Sequence, residues 1–140
     1  MAYDYIRKIN YYETDKMGDT HHSNYIRFME EARIAFLDKI GCGYEKWEAD
    51  GIISPVTAVE CEYKRPTTFG DEICVSVEVS EYKRVKLTIS YTMLNTASGE
   101  QVCIGKSHHC FISVDGKPIA LSRQYPEYDE LLKKQLTKND

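Results

Sequence analysis

The chain has 140 residues, of which 42% are hydrophobic and 29% are charged, and it contains 8 Gly and 4 Pro. This length suits one domain, and the composition excludes a disordered, collagen-like or low-complexity chain. The formal net charge is −4, from 18 basic and 22 acidic residues. An acidic chain argues against nucleic-acid binding, which needs a basic surface. We therefore expect one globular domain over residues 1–140.

Neither a membrane span nor an export signal is indicated. The longest aliphatic or aromatic run is Ile34–Leu37, whereas a membrane helix needs about 20 apolar residues. The N-terminus lacks the basic-then-apolar order of a signal peptide. The cysteines are odd in number and contain no C-x-x-C pair, so neither a disulfide framework nor a structural zinc site is indicated. We expect a cytoplasmic protein with free thiols.

The first third of the sequence predicts a strand, a loop and a long helix. Residues 4–11 are typical of a short strand, and a polar, glycine-bearing loop follows up to Ser23. From Asn24 to Ile40 apolar residues recur at helical spacing and cover much of the surface, which predicts a helix of about 17 residues. Ser23 or Asn24 is the predicted N-cap, and Gly41 and Gly43 are predicted to end the helix.

The rest of the sequence predicts four long antiparallel strands. Apolar and polar residues alternate over 57–64, 73–80 and 85–93, and residues 101–114 form a fourth strand. Such alternation indicates strands with one buried face. Turns are predicted at 81–84 and 97–100, and the tail 126–138 is typical of an amphipathic helix. We expect an α+β fold in which a five-stranded sheet wraps one helix, with sheet edges that require a homo-oligomeric partner.

The loop and the start of the helix carry a recognisable motif. It combines an aromatic residue, a Thr-Asp pair, a glycine, a histidine seven residues after the Asp, and an Asn-Tyr pair: Tyr11, Thr14, Asp15, Gly18, His22, Asn24 and Tyr25. Followed by Glu31-Ala32-Arg33, this motif resembles that of hotdog-fold acyl-CoA thioesterases of the 4-hydroxybenzoyl-CoA thioesterase type, including the Tol-Pal-associated group. Lys16 and Asp19 depart from the smaller, more apolar residues usual there, which leaves the acyl preference open.

The resemblance implies a function and an assembly. It implies hydrolysis of acyl-CoA or acyl-carrier-protein thioesters, with no metal and no cofactor beyond the coenzyme A that is part of the substrate. It also implies a homodimer or homotetramer with active sites at the protomer interface. Within that family Asp15 matches the catalytic carboxylate, His22 matches the start of the central helix, and Tyr11 matches an aromatic flanking the loop.

The residues themselves support this chemistry. Asp15 could attack the thioester carbonyl to give a mixed anhydride, or take a proton from an attacking water. The backbone N–H of His22, in the first helical turn, could polarise the thioester carbonyl. Gly18 allows a tight bend beside the ligand, and we also expect Asn24 in the substrate site. Glu30 and Glu31 are second candidates for an acid or base.

Two basic clusters could bind the phosphates of coenzyme A. The residues are Lys64, Arg65, Arg84 and Lys86, although hairpin tips also carry such residues for solubility. We expect no metal site, because the adjacent His108 and His109 would point to opposite faces of a strand.

Two other functions remain open. The first is a hotdog-fold hydratase or dehydratase, whose motif spaces Asp and His by five residues, whereas His21 and His22 lie six and seven after Asp15. The second is a non-catalytic acyl-CoA-binding module, for which replacing Asp15 would leave ligand affinity intact.

Overall fold

The computed structural model describes the backbone of residues 3–139 and the side chains of residues 3–136. Its elements are β1 (Tyr3–Lys8), a 3-10 turn (Tyr11–Glu13), α1 (Ser23–Ile40), α2 (Tyr44–Ala49), β2 (Val56–Tyr63), β3 (Glu72–Lys83), β4 (Lys86–Asn95), β5 (Gln101–Cys110), α3 (Leu121–Gln124) and α4 (Pro126–Asn139). The predicted α+β class and element order are confirmed. The short helices α2 and α3 were not predicted, and β1 ends three residues earlier than expected. Residues 1, 2 and 140 of the predicted domain lie outside the described residues.

The five strands form one antiparallel sheet in the order β1-β3-β4-β5-β2. Helix α1 packs across it. The alternation predicted for β3 and β4 is confirmed, since one face of each strand is buried: Ile73, Val75, Val77 and Val79 in β3, and Leu87, Ile89, Tyr91 and Met93 in β4. Burying one such side chain contributes about 1.5–3 kcal/mol, so this shared face holds the sheet on the helix.

Helix α1 ends as predicted but begins differently. Gly41 adopts φ 96° and its N–H bonds to the carbonyl oxygens of Leu37 and Asp38, a left-handed stop that glycine favours. Neither predicted N-cap is correct, because His22 occupies that position without a capping side-chain hydrogen bond. Instead the Nδ1 atom of His21 accepts a hydrogen bond from the Ser23 N–H at 3.3 Å.

The turn between β3 and β4 is tighter than predicted. β3 continues to Lys83, which pairs with Lys86, so only Arg84 and Val85 form the turn. Arg84 adopts φ 44°, a left-handed conformation that two-residue hairpin turns require. Gly43, which was expected to help end α1, is the N-cap of α2.

Strand β2 lies at the edge of the sheet and is open on both faces. Val56, Val59 and Tyr63 are 45%, 38% and 47% exposed, so the buried face predicted for β2 does not form within one chain. Its neighbour β5 carries Gly105 where a Cβ atom would lie 2.7 Å from the Glu60 carbonyl oxygen. The glycine therefore allows β2 to approach β5 closely.

Candidate active site

The predicted catalytic loop, the start of α1 and the segment after β2 line an open cavity of about 320 Å³. Its walls are formed by Asp15, Met17, Asp19, Thr20, His22, Tyr25, Tyr63, Lys64, Arg65 and Pro66. Four residues predicted from the sequence, Asp15, His22, Lys64 and Arg65, thus lie around one space. A carboxylate, a helix N-terminus and two cationic side chains therefore face the same volume.

Asp15 is fixed by its own loop. Its Oδ1 atom accepts hydrogen bonds from the backbone N–H groups of Met17 (2.9 Å) and Asp19 (3.3 Å), and its N–H bonds to the Asp19 carbonyl oxygen at 2.7 Å. Gly18 closes the turn with φ 86°, a conformation that glycine adopts without strain. Within the described residues Oδ2 has no hydrogen-bond partner, so one carboxylate oxygen is available for chemistry.

His22 contributes its backbone N–H to the candidate site rather than a hydrogen-bonded imidazole ring. Its N–H has no hydrogen-bond partner among the described residues, whereas the N–H of Tyr25 bonds to the His22 carbonyl oxygen at 3.2 Å. The imidazole is stacked on that of His21, with ring centroids 4.4 Å apart, and meets the edge of Tyr63 at 5.9 Å. An unpaired N–H at the positive end of a helix dipole suits a developing negative charge.

One buried residue, Glu13, joins the loop to the helix start. Its Oε1 atom accepts hydrogen bonds from Arg7 Nη1 (2.6 Å) and from the Asn10 N–H (2.8 Å). Its carbonyl oxygen accepts from the His21 N–H (2.8 Å) and from Asn24 Nδ2 (2.9 Å). The loop that carries Asp15 and the N-terminus of α1 are therefore both tied to one residue.

The positive charge of Arg7 in this network is balanced by the carboxylates of Glu13 and Glu31. Arg7 Nε lies 2.9 Å from Glu31 Oε1, and the guanidinium sits 4.1 Å from the ring centroid of Phe28. Burial lowers the pKa of Arg7, but the hydrogen bond to Glu13 and the charge of Glu31 raise it above its ordinary value. Glu31, a second candidate acid or base, is thus committed to this ion pair.

A second set of bonds holds the loop from the far side. The hydroxyl of Thr67 lies 2.6 Å from that of Thr20 and 2.8 Å from that of Tyr25, and all three residues are buried. Thr68 Oγ1 donates to the Gly18 carbonyl oxygen at 2.7 Å. The loop that carries Asp15 is thereby fastened to Thr67 and Thr68 in the connection between β2 and β3, two residues that the sequence had not linked to the site.

Other predicted site residues lie elsewhere. Tyr11 is 75% exposed and packs edge-on against Phe69, outside the cavity wall. Asn24 is buried and bonds only to backbone oxygens, so it positions the site rather than lining it. Glu30 is exposed and lies 3.9 Å from Arg33.

The second basic cluster is remote from the cavity. Arg84 and Lys86 lie at the β3–β4 turn, whereas Asp15 lies near the opposite end of the sheet, where β3 begins. Because β4 has ten residues, the length of the strand separates the two ends by roughly 30 Å. One protomer does not bring them together with Asp15.

The remaining histidines belong to different surroundings. His108 faces outward, with Nε2 3.3 Å from Glu60 Oε2. His109 is buried, with Nε2 2.7 Å from Ser107 Oγ. As expected for neighbours in a strand, they occupy opposite faces. In the described part of the chain no group of three or more His, Cys, Asp or Glu residues could hold a metal ion, and none of its helices is long and apolar enough to cross a membrane.

His109 ends a buried polar chain beneath α1. Arg33 Nη1 donates to the Tyr91 hydroxyl at 3.1 Å, which lies 2.6 Å from Ser107 Oγ. Burial, together with the charges of Arg33 and His108, lowers the pKa of His109 to about 4. Its imidazole is therefore neutral at physiological pH.

The thioesterase-like superfamily matches residues 9–136 of the chain. The chain belongs to this superfamily and is a thioester hydrolase with the hotdog fold.

Similar proteins agree with that family. YneP of Bacillus subtilis, whose name assigns it provisionally to the acyl-CoA thioesterases, is 31% identical over 86% of this chain and 88% of its own length. The 1,4-dihydroxy-2-naphthoyl-CoA hydrolase of Thermosynechococcus vestitus is 26% identical over 76% of this chain and 73% of its own. The crystal structure of a DHNA-CoA thioesterase from Staphylococcus aureus superposes with a TM-score of 0.92 at 33% identity, covering 99% of this chain and 93% of that one.

Proposed function

We propose that this protein hydrolyses acyl-CoA thioesters to a free carboxylic acid and coenzyme A, with Asp15 as the catalytic carboxylate. The observation that carries the proposal is that Asp15 and His22, whose N–H has no partner among the described residues, line one cavity. Acyl transfer needs a nucleophile or base on one side of the carbonyl and a donor for the oxyanion on the other. The family and the named relatives support the same reaction.

Two routes for the carboxylate fit the site. In the first, Asp15 Oδ2 attacks the thioester carbon, the C–S bond breaks, and water hydrolyses the resulting mixed anhydride. In the second, Oδ2 takes a proton from water as the water attacks. In both, the His22 N–H stabilises the oxyanion, and the leaving thiolate takes a proton. Since Oδ1 is held by two backbone donors, Oδ2 is the oxygen that acts.

Lys64 and Arg65 are proposed to bind the phosphates of coenzyme A. Their side chains are 41% and 61% exposed at the rim of the cavity, and each pairs with a surface carboxylate, Glu62 or Glu100. Such exposed ion pairs contribute little stability, so a phosphate can replace the carboxylate at small cost.

A second copy of the chain is proposed to complete the site. Edge strand β2 exposes apolar side chains on both faces, and Ile26 and Ile34 of the neighbouring helix are 42% and 40% exposed. An open apolar edge strand favours pairing with another chain. Because Tyr63 on this strand lines the Asp15 cavity, a partner seated on β2 would border the acyl group. A homodimer, alone or within a homotetramer, follows.

The proposed substrates are acyl-CoA or acyl-carrier-protein thioesters in the cytoplasm. The five cysteines of the chain are free, as is usual in a reducing compartment. By its name, the Thermosynechococcus vestitus relative acts on 1,4-dihydroxy-2-naphthoyl-CoA, so aromatic acyl groups belong in any substrate panel beside aliphatic ones.

The test is thiol release from a panel of acyl-CoA thioesters, with wild type beside Asp15→Asn. We expect Asp15→Asn to lower kcat by at least about 10²-fold on every substrate. Asp19→Asn is the matched control, because Asp19 lines the same cavity, and it should retain turnover within about tenfold of wild type.

Unchanged turnover in Asp15→Asn would refute the assignment of Asp15. A wild type that binds acyl-CoA without releasing thiol would favour the binding module, and hydration of an enoyl-CoA would favour the hydratase. A single turnover in ¹⁸O-labelled water tests the anhydride route, because label in the Asp15 carboxylate requires an anhydride whose Asp15 carbonyl carbon is attacked by water.

A further inference from the structure

Two cysteines on neighbouring strands have sulfur atoms in contact. Cys61 on β2 and Cys103 on β5 lie with their Sγ atoms 3.3 Å apart. In the strand register Cys61 pairs with Gly105 and Cys103 pairs with Tyr63, so the two thiols occupy diagonal positions across the strands. In the part of the chain that the structure describes, which includes all five cysteines, no other pair of sulfurs is in contact.

We propose that Cys61 and Cys103 are a redox-active dithiol that a hydroperoxide converts to a disulfide beside the proposed active site. A disulfide needs the two sulfurs about 2.05 Å apart. The step therefore requires the sulfurs to approach by little more than 1 Å, which rotation of the two side chains and a small shift of the edge strand can supply. The strand register places the two residues diagonally on the same face of neighbouring strands, so their Cβ atoms must also approach to the roughly 3.5–4.5 Å that a disulfide needs.

The surroundings of the two thiols differ in a way that suits this reaction. Cys61 is half-buried on edge strand β2, where it packs against the core, whereas Cys103 is fully buried. The hydrogen bond from Cys103 lowers the pKa of Cys61 to about 7, and that same bond, with burial, raises the pKa of Cys103. Cys61 is thus the reactive thiolate, and Cys103 resolves it.

The reaction balances in two steps. The Cys61 thiolate attacks one oxygen of the hydroperoxide, the O–O bond breaks, and the released alkoxide takes a proton, leaving a sulfenic acid on Cys61. The Cys103 thiol then attacks that sulfur, the S–O bond breaks, and hydroxide leaves with the Cys103 proton as water. Two thiols are oxidised and one hydroperoxide is reduced to an alcohol and water.

The disulfide would act on the site through Tyr63, which lies two residues from Cys61 and is paired with Cys103. Its ring lies 5.6 Å from that of Tyr25 and 5.9 Å from that of His22, and it lines the Asp15 cavity. Drawing β2 toward Cys103 therefore displaces a wall of the cavity. This effect on turnover rests on the proposed thioesterase function, whereas disulfide formation itself does not.

The experiment treats the reduced, full-length protein with hydrogen peroxide and maps its tryptic peptides without reduction. Each cysteine lies in a different tryptic peptide, and Cys61 and Cys103 fall within residues 47–64 and 87–106. We expect these two peptides to appear cross-linked, to separate on treatment with dithiothreitol, and to accompany a reversible loss of thiol release of roughly tenfold or more.

Matched variants make the result decisive. Cys61→Ser should yield no cross-link and keep its turnover in peroxide, whereas Cys110→Ser, at another half-buried cysteine, should behave as wild type. Absence of the cross-linked peptide, or over-oxidation of Cys61 in its place, would overturn the dithiol. A cross-link that leaves turnover unchanged would overturn the coupling to the site. A protein that forms the cross-link but never hydrolyses thioesters would refute the proposed thioesterase function and leave the dithiol proposal intact.

Discussion

The attachment of the Asp15 loop through Glu13 can be tested by removing the Glu13 carboxylate. Glu13→Ala deletes the acceptor for Arg7 Nη1 and for the Asn10 N–H in a position that is only 5% exposed. Breaking a buried ion pair costs about 3–5 kcal/mol. Because Arg7 keeps its bond to Glu31, we expect the free energy of unfolding to fall by about 3 kcal/mol, the lower end of that range.

Urea unfolding gives the free energy, and thiol release gives the effect on catalysis. Glu13→Gln keeps the volume and an acceptor oxygen but loses the charge, so we expect a cost of about 1–2 kcal/mol. Glu30→Ala removes a carboxylate that is 65% exposed and 3.9 Å from its partner, a change worth less than about 1 kcal/mol. We also expect kcat to fall in both Glu13 variants, since Asp15 and the helix start lose their common support. A Glu13→Ala protein that is no less stable than Glu30→Ala, or that keeps full turnover, would refute the role of Glu13 as this common support.

Two further predictions concern pH and coenzyme A. The pKa of His109 is about 4 in the folded chain, whereas its ordinary value, which applies in the unfolded chain, is 6.5. The free energy of unfolding therefore falls as the pH drops from 6.5 towards 4, because there only the unfolded chain binds the proton. Urea unfolding at pH 7 and pH 5 should show that wild type loses about 2 kcal/mol more than His109→Gln, and an equal loss in both proteins would contradict this. Replacing Lys64 and Arg65 with Ala should raise KM for acyl-CoA about tenfold with kcat little changed, whereas Arg84→Ala should leave both unchanged. A KM shift for Arg84→Ala alone would show that the remote cluster binds the phosphates.

Local patterns in the sequence predicted the helix and strands whose apolar faces are buried within the same chain. α1 follows a helical period, and β3 and β4 alternate strictly, because each packs against another part of the same chain. β2 carries the same alternation yet remains exposed on both faces. Alternation in the sequence predicts that one face of a strand is buried, but it does not indicate whether the same chain or a partner buries it.

The site was predicted only in part, for a physical reason. Asp15 and His22 lie in a contiguous motif, so the sequence brought them together. Arg7 and Glu13 were missed because charges in a strand and a loop normally indicate solvent, although the Asn10-x-x-Glu13 spacing is that of a capping box and signalled a bond between them. Thr67 had no such signal, since only the fold brings residues 47 positions apart into contact.

Asp15 and the cavity wall opposite it are held in place by different parts of the chain. The hydrogen bonds that align the carboxylate with the helix start come largely from residues 7–31. The opposite wall of the cavity comes from residues 63–66 and, in the proposed dimer, from another molecule. Substitution of Tyr63, or of the partner's part of that wall, therefore leaves the hydrogen bonds that hold Asp15 in place. On the proposed function, acyl specificity can change in this way without a change in the groups that carry out hydrolysis.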